Sequence, residues 1–436
     1  PEPLRKFSSM FGMTIKKEIL PYNLYTPENV VSRFVDKEEC IKSVKIQYKY
    51  NNSSEDICEK SQTEFVNEYL KNVEEWNCED NGMIDIIRYS TKYCVMDCKV
   101  LEEGYNKFRN NILTITDNNI DINNYVSVAS FSLDYLLLNG VFDGVYELSG
   151  IPQTFINRCS YGGRTMCRAN EKYASNTTNT INKAIVDNNS ENCFETDYKQ
   201  IIDKLLADID AISLYPSSMY LLGGFLIGLP KILKTLSYET IKNYDGYFVE
   251  IVINKVGKRY DYPLMSKITK DGVRDWTNDM EGETFYCDKT TLEDLKKFHK
   301  IEFEIIRGYY YDEGRNYKLK PTIEHLFNTR LQAKAEENPI EKVYKLIMNS
   351  CYGKTLLKPF DTKISYMSVN RYMDYVSSKY NWIKDGEFIE EKKEWKITSY
   401  EPINNHFNLV HCGVEVLSTS KRIMAEVMCL AEDLNI

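Results

Sequence analysis

The stretch Asp210-Ala211-Ile212-Ser213-Leu214-Tyr215-Pro216-Ser217 decides how the rest of the chain is read. Leu205 to Ile209, apolar but for Asp208, predict a strand, and that strand delivers Asp210 at its end. A carboxylate fixed by a sheet can hold a hard divalent cation through oxygen. A lone acid there is as often an ordinary cap, so the residues after it carry the weight. Pro216 has its φ locked, which predicts a rigidly placed Tyr215 ring close to the acid. Such a ring suits a sugar and excludes a 2′-hydroxyl, the group that separates RNA from DNA precursors.

Outward from this stretch, residues 322–336 and 340–357 read as two helices broken at Glu337-Asn338-Pro339, a helical hairpin. The second carries Lys345-Leu346-Ile347-Met348-Asn349-Ser350-Cys351-Tyr352-Gly353. Lys345, Asn349 and Tyr352 stand at i, i+4 and i+7 and share a face. Arg330 and Lys334, also i and i+4, come from the partner helix. The hairpin is expected to aim Arg330, Lys334 and Lys345 at one spot, a setting for a triphosphate. Gly353 permits close approach of a base pair or backbone. An acid for a metal, cations for phosphates and an aromatic for a sugar are the parts of a nucleotidyl-transfer site. Gly353-Lys354-Thr355 only mimics a phosphate loop, because position 348 is Met where that motif needs Gly.

Composition sets the outer bounds. The chain has 436 residues, 43% of them hydrophobic and 13% aromatic, enough for two or three folded domains. The net charge of −9 disfavours a non-specific nucleic-acid binder. Yet residues 314–358 hold nine Lys or Arg against four Glu, so positive charge gathers around the second motif. The 33 tyrosines among many Asn, Lys and Ile reflect coding bias, not function. Twelve irregularly spaced cysteines and four histidines give no zinc pattern, and free thiols fit a reducing, intracellular setting. Residues 211–230 carry no charge, but Pro216, Gly223, Gly224 and Gly228 interrupt them, so a buried strand-turn-helix is expected and no membrane partner.

Further along, Ser61-x-x-Glu64 reads as a capping box opening a helix over 61–75. Residues 84–108 and 125–138 read as helices, and the first places Tyr93 and Asp97 on one face. Residues 149–170 read as a loop carrying Tyr161-Gly162-Gly163-Arg164, and 176–192 as an Asn/Thr-rich insertion. Residues 246–254 and 300–311 read as strands, and 359–408 show no clear period. A last amphipathic helix over 416–434 puts Leu417, Met424, Val427, Leu430, Ala431 and Leu434 on one stripe.

The two quoted segments resemble motifs A and B of the family B DNA polymerases, DxxSLYPS and KxxxNSxYG. The likeness is strongest to the protein-primed branch of phages, adenoviruses, linear plasmids and virus-like mobile elements. Tyr161-Gly162-Gly163 resembles that branch's YxGG-type loop, and Tyr93-x-x-x-Asp97 resembles the third motif of its 3′–5′ exonuclease. The opening PEPLRKFSSMFGMTIKKEI resembles the segment after the second exonuclease motif, with Lys17, or Lys16, as its auxiliary lysine.

The resemblance implies an α/β (α+β) fold: the C-terminal part of an RNase H-like exonuclease domain, then a palm with an antiparallel sheet and helical-hairpin fingers. Residues 1–115 would be exonuclease, 116–200 a connection with the YGG loop, and 201–235 palm. Residues 236–321 would be an insertion, 322–357 fingers, 358–408 a second insertion and 409–436 a palm helix. Asp210, with the Ala211 carbonyl, would ligate metal; Ser213, Leu214 and Tyr215 would line the nucleotide. Lys345 would meet the α-phosphate, Arg330 and Lys334 the β- and γ-phosphates, and Asn349 and Tyr352 the nascent pair. Tyr161, Gly162, Gly163, Arg164 and Gly353 would touch DNA. Asp97 would bind the exonuclease metal while Tyr93 orients water.

The implied cofactor is two Mg²⁺ ions, or Mn²⁺ in their place. The implied partners are template and primer DNA, deoxynucleotides and a terminal protein primer, in the cytoplasm, nucleus or mitochondrion of a host. The first two exonuclease motifs are expected before Pro1 and motif C, with the second polymerase acid, after Ile436. An inactive DNA-binding relative and a nuclease on a polymerase scaffold remain the alternatives.

Overall fold

The computed structural model describes residues 4, 7–51, 59–164, 166, 211–357, 362–402 and 406–434. The strand expected at 205–209, Asp210 itself and the segment 176–192 lie outside the described residues. The chain is a mixed α/β structure divided into two units, residues 1–126 with 327–346 and residues 127–326 with 347–436.

The first unit is mostly helical. Its longest helix, Ile86–Ile115, starts at Asp85, whose carboxylate accepts from the Arg88 N–H at 2.9 Å and satisfies one orphan donor of the first turn. Arg33 grips the same carboxylate with two nitrogens, at 3.0 and 2.7 Å. These bonds hold Asp85 below the usual carboxylate range. A three-stranded antiparallel ribbon, in the order Phe34–Asp36, Met83–Asp85, Glu79–Asp80, leads into this helix. Val35, Val44, Val66, Tyr69, Ile84 and Tyr89 close the core beneath it. Ser61 is not a cap, because the helix already includes Glu59 and runs Glu59–Glu75. Glu and Lys both propagate a helix well, so it does not wait for the serine.

The second unit is built on a four-stranded antiparallel sheet in the order Lys231–Ile232, Glu302–Tyr311, Gly246–Lys255, Thr284–Asp288. Side chains alternate across it with period two. Tyr247, Val249, Ile251 and Ile253 pack on one face with Leu292, Leu295 and Met280. Phe248 and Tyr311 pack on the other with Val410 and Val414 of the helix Val410–Asp433. That helix is longer than the expected 416–434 element. In its C-terminal half Ala425 and Cys429 are buried, while Val427, Leu430 and Leu434 of the expected stripe are exposed.

Two other expectations change. Residues 150–157, read as loop, form the helix Gly150–Asn157, packed through Phe155 and Ile156. Residues 362–402, which showed no period, form a strand Thr362–Ser368, a helix Val369–Lys379 and two strands, Ile383–Ile389 and Glu394–Tyr400, in one antiparallel sheet. Tyr372 of the helix stacks on Trp395 of the central strand at 4.0 Å.

Candidate functional site

Ala211 begins the described part of the first motif. Ser213 takes the left-handed conformation, φ 51°, and the helix Leu214–Leu222 starts on the next residue. Pro216 therefore sits in the first helical turn, where a missing N–H costs nothing, and it is buried. The sharp turn of the segment is at Ser213, two residues before Tyr215. The Ser217 hydroxyl donates to the Ile212 carbonyl at 3.2 Å and closes the turn. The helix ends at Gly223, φ 78°. Gly224 follows with no room for a side chain: a Cβ there would lie 2.1 Å from the Asn316 carbonyl oxygen. Of the glycines interrupting the uncharged stretch, Gly224 and Gly228 are thus packing points and Gly223 ends the helix, and no helix among the described residues is long and apolar enough to cross a membrane.

The hairpin is made of the helices Leu319–Ala335 and Glu341–Ser350. Lys345 and Asn349 are exposed on the second, and Lys334 is exposed on the first. Arg330 is engaged, unlike the free cation the spacing suggested: its Nε lies 3.2 Å from Glu341 Oε2, with both side chains largely buried. Glu341 is a partner that the Arg330 and Lys334 spacing does not name. Its position four residues before Lys345, opposite the first helix, was the available signal. The second helix stops at Ser350, so Tyr352 lies in a turn and Gly353 opens a 3-10 segment, Gly353–Leu356.

Tyr352 nonetheless meets the first motif. Its ring stacks on Tyr215 with centroids 4.2 Å apart and planes 29° from parallel. Below the pair, Cys351 Sγ lies 3.7 Å from Met219 Sδ. Burial holds the Tyr352 hydroxyl well above the usual tyrosine range, and its hydrogen bond with Tyr215 adds to the shift. Burial likewise pushes the Cys351 thiol up to about 12, so it packs as an inert side chain.

In the first unit, residues 14–19 run antiparallel along the helix Ile86–Ile115. The Thr14 N–H donates to Glu103 at 3.1 Å, and the Tyr89 hydroxyl donates to the Ile19 carbonyl at 2.7 Å. Between them Lys17 Nζ pairs with Asp97 Oδ2 at 2.8 Å and stands 5.1 Å from the Tyr93 ring centre. Lys17, rather than Lys16, thus faces the acid. The other Asp97 oxygen is buried without a hydrogen-bond partner among the described residues. Burial, then the Tyr22 hydroxyl and the Asp97 carboxylate, hold the Tyr93 phenol well above its usual range. Tyr22, from a short 3-10 turn, is a member of this cluster that no motif signalled.

Tyr161 is buried and its hydroxyl accepts from the Tyr286 N–H at 3.3 Å, whereas Gly162 and Gly163 are exposed. Arg164 turns inward and donates to the Tyr262 and Pro263 carbonyls at 3.0 and 3.3 Å. Among the described residues no three His, Cys, Asp or Glu side chains are grouped to hold a metal. The buried, unpartnered Asp97 oxygen is the described donor whose chemistry suits one.

Comparisons with known proteins bear on this geometry. The family described as DNA polymerase type B, organellar and viral, matches residues 1–184 and 191–431. A DNA polymerase of Acidianus bottle-shaped virus (isolate Italy/Pozzuoli) is 64% identical over 36 residues, 8% of this chain and 6% of the relative. Phi29 DNA polymerase complexed with primer-template DNA and incoming nucleotide substrates shares the fold, with TM-score 0.51 and 14% identity over 99% of this chain and 57% of that one. The same polymerase complexed with single-stranded DNA aligns at TM-score 0.48 and 15% identity over 100% of this chain and 56% of that one. The chain thus spans little more than half the length of the solved polymerases it resembles. The match along nearly its whole length means that this chain belongs to the organellar and viral type B DNA polymerases.

Proposed function

We propose that this chain is part of a DNA-directed DNA polymerase that adds deoxynucleotides to a primer 3′-hydroxyl, and that it also carries one wall of a 3′–5′ exonuclease site. The observation that carries the reading is the Tyr215–Tyr352 stack, which joins the turn after Asp210 to the end of the lysine-bearing helix. Tyr215 closes off the 2′ side of the incoming sugar, and the ring beneath it holds Tyr215 in place. Lys345 meets the α-phosphate as its charge develops and donates a proton toward the leaving pyrophosphate. Lys334 and Arg330 grip the outer phosphates, Arg330 after exchanging Glu341 for phosphate oxygen. Asn349 lines the nascent pair, and Gly353 leaves room for the template. Asp210 and the Ala211 carbonyl would hold Mg²⁺ or Mn²⁺, which when bound lowers the pKa of the attacking hydroxyl and offsets phosphate charge.

On the exonuclease side, Asp97 offers its free oxygen to a metal, Lys17 balances the carboxylate, and the protonated Tyr93 orients water. Exposed Gly162 and Gly163 touch the template. Priming from a terminal protein and replication of a viral or plasmid-like genome inside a host cell complete the reading. Primer extension tests it, using the chain with its natural flanking segments and with and without a candidate terminal protein. Template-directed extension that Asp210→Ala abolishes is expected. Extension surviving that substitution would refute the metal role, and degradation alone would favour a nuclease.

A further inference from the structure

The loop read as a DNA contact is held by an exchange of cations and rings. Tyr161, before the glycines, has Arg274 Cζ standing 5.3 Å from its ring centre and Lys421 Nζ at 5.1 Å. Arg164, after the glycines, stands 6.0 Å from the ring centre of Trp276. Arg274 and Trp276 belong to one hairpin, Ser266–Ile268 with Arg274–Trp276. The loop therefore gives a ring to the hairpin's arginine, and the hairpin gives a ring to the loop's arginine. Lys421, from the helix Val410–Asp433, makes the contact three-sided.

Neither Arg274 nor Lys421 forms an ion pair with a described carboxylate. Arg274 donates to the Ser266 hydroxyl at 2.7 Å, which fixes its direction. Lys421 is half-buried, and desolvation brings its ammonium down to about 8 against the pull of Asp288. Between the anchors, Gly162 and Gly163 are exposed, and a Cβ at either would meet nothing within 4 Å. A short strip of bare backbone is thus stretched between two cation–aromatic anchors.

We propose that Arg274 and Lys421 are positioning residues that lock the Tyr161 ring and so set the Gly162–Gly163 backbone for DNA. The lock rests on reading that loop as a DNA contact, which Gly163→Asp tests separately. The added carboxylate has room and would face phosphate. Each cation–aromatic contact of this kind is worth about two- to fivefold in a coupled equilibrium.

The experiment is fluorescence anisotropy of the 436-residue chain with a primer-template duplex between 50 and 200 mM salt. Arg274→Met and Lys421→Met should each weaken binding about two- to fivefold. The pair should weaken it by less than the product, because both act on one ring. Lys421→Arg should restore it, and thermal unfolding should show both single variants folded. Arg274 is exposed, so its variant reports even if the Lys421 variant does not fold. The slope of log K against log salt should stay unchanged for both. A slope reduced by about 0.7–0.9 per variant would mean direct phosphate contacts and overturn positioning. Unchanged affinity in both, with Gly163→Asp still weakening DNA, would overturn the lock and keep the loop reading. No effect of Gly163→Asp either would remove both.

Discussion

Tyr215 and Tyr352 matter as a pair. A ring lying against another at 4.2 Å has little freedom to swing away, so under the proposed role a sugar carrying an extra hydroxyl would meet a fixed wall. In protein carrying its full catalytic set, Tyr215→Val should raise ribonucleotide use relative to deoxyribonucleotide use by about tenfold or more, read by competitive primer extension. Tyr352→Ala should move the same ratio part of the way, because it loosens Tyr215 without removing it. Asp97 is a second residue whose role depends on its surroundings. One oxygen is balanced by Lys17 and the other is buried and unpartnered. Asp97→Asn should cut 3′–5′ degradation at least about 100-fold, measured on end-labelled DNA, while extension persists. The pairing of Tyr93 with Asp97 was visible in sequence because four residues make one helical turn. The approach of Lys17 from a segment about eighty residues earlier was only a resemblance until the fold laid the two side by side.

At the scale of elements, the helix Ile86–Ile115 illustrates how one cap can carry several jobs. Asp85 accepts from the first turn and is clamped by Arg33 at the end of the strand ribbon. Asp85→Ala should cost about 1–2 kcal/mol, read as a lower urea midpoint with unchanged slope. Because its folded pKa lies below 3.8, this contribution is complete above the unfolded value and fades as pH falls through the folded one. Long helices and the two central strands were legible because their periodicity is internal to each element. The segment 362–402 was not. Its exposed sheet face mixes Tyr366, Tyr400, Lys396 and Glu387, which hides the alternation that Met367, Trp395 and Ile397 keep on the other side. The apolar stripe on the last helix was legible as a pattern, but which side packs inward was decided by the small residues Ala425 and Cys429.

Across the whole molecule, buried polar groups show where distant segments must agree. Arg315 pairs with Glu415 at 2.5 Å inside the second unit and also donates to the Gly224 and Asp245 carbonyls at 2.8 and 3.1 Å. His299 is fully buried. Its Nε2 accepts from the Leu264 N–H at 3.2 Å, so Nδ1 carries the proton and donates to the Lys258 carbonyl at 2.8 Å. Burial brings its pKa from 6.5 down to about 4. Above pH 6.5 both folded and unfolded chains hold it neutral and the contribution is complete. Between 6.5 and 4 the unfolded chain takes the proton first, so stability falls by up to about 3 kcal/mol. Urea unfolding at pH 7 and pH 4.5 should show that loss in the natural chain and a smaller one in His299→Asn. By itself the sequence determined which segments are the candidates: the Asp210 stretch, the lysine helix, the YGG loop and the acid–tyrosine pair, because each is local and sets its own spacing. Only the tertiary structure decided that Tyr352 lies on Tyr215 and that Arg274 and Lys421 share Tyr161. Those contacts join residues far apart in the chain, and no local period encodes which ring or charge will meet which.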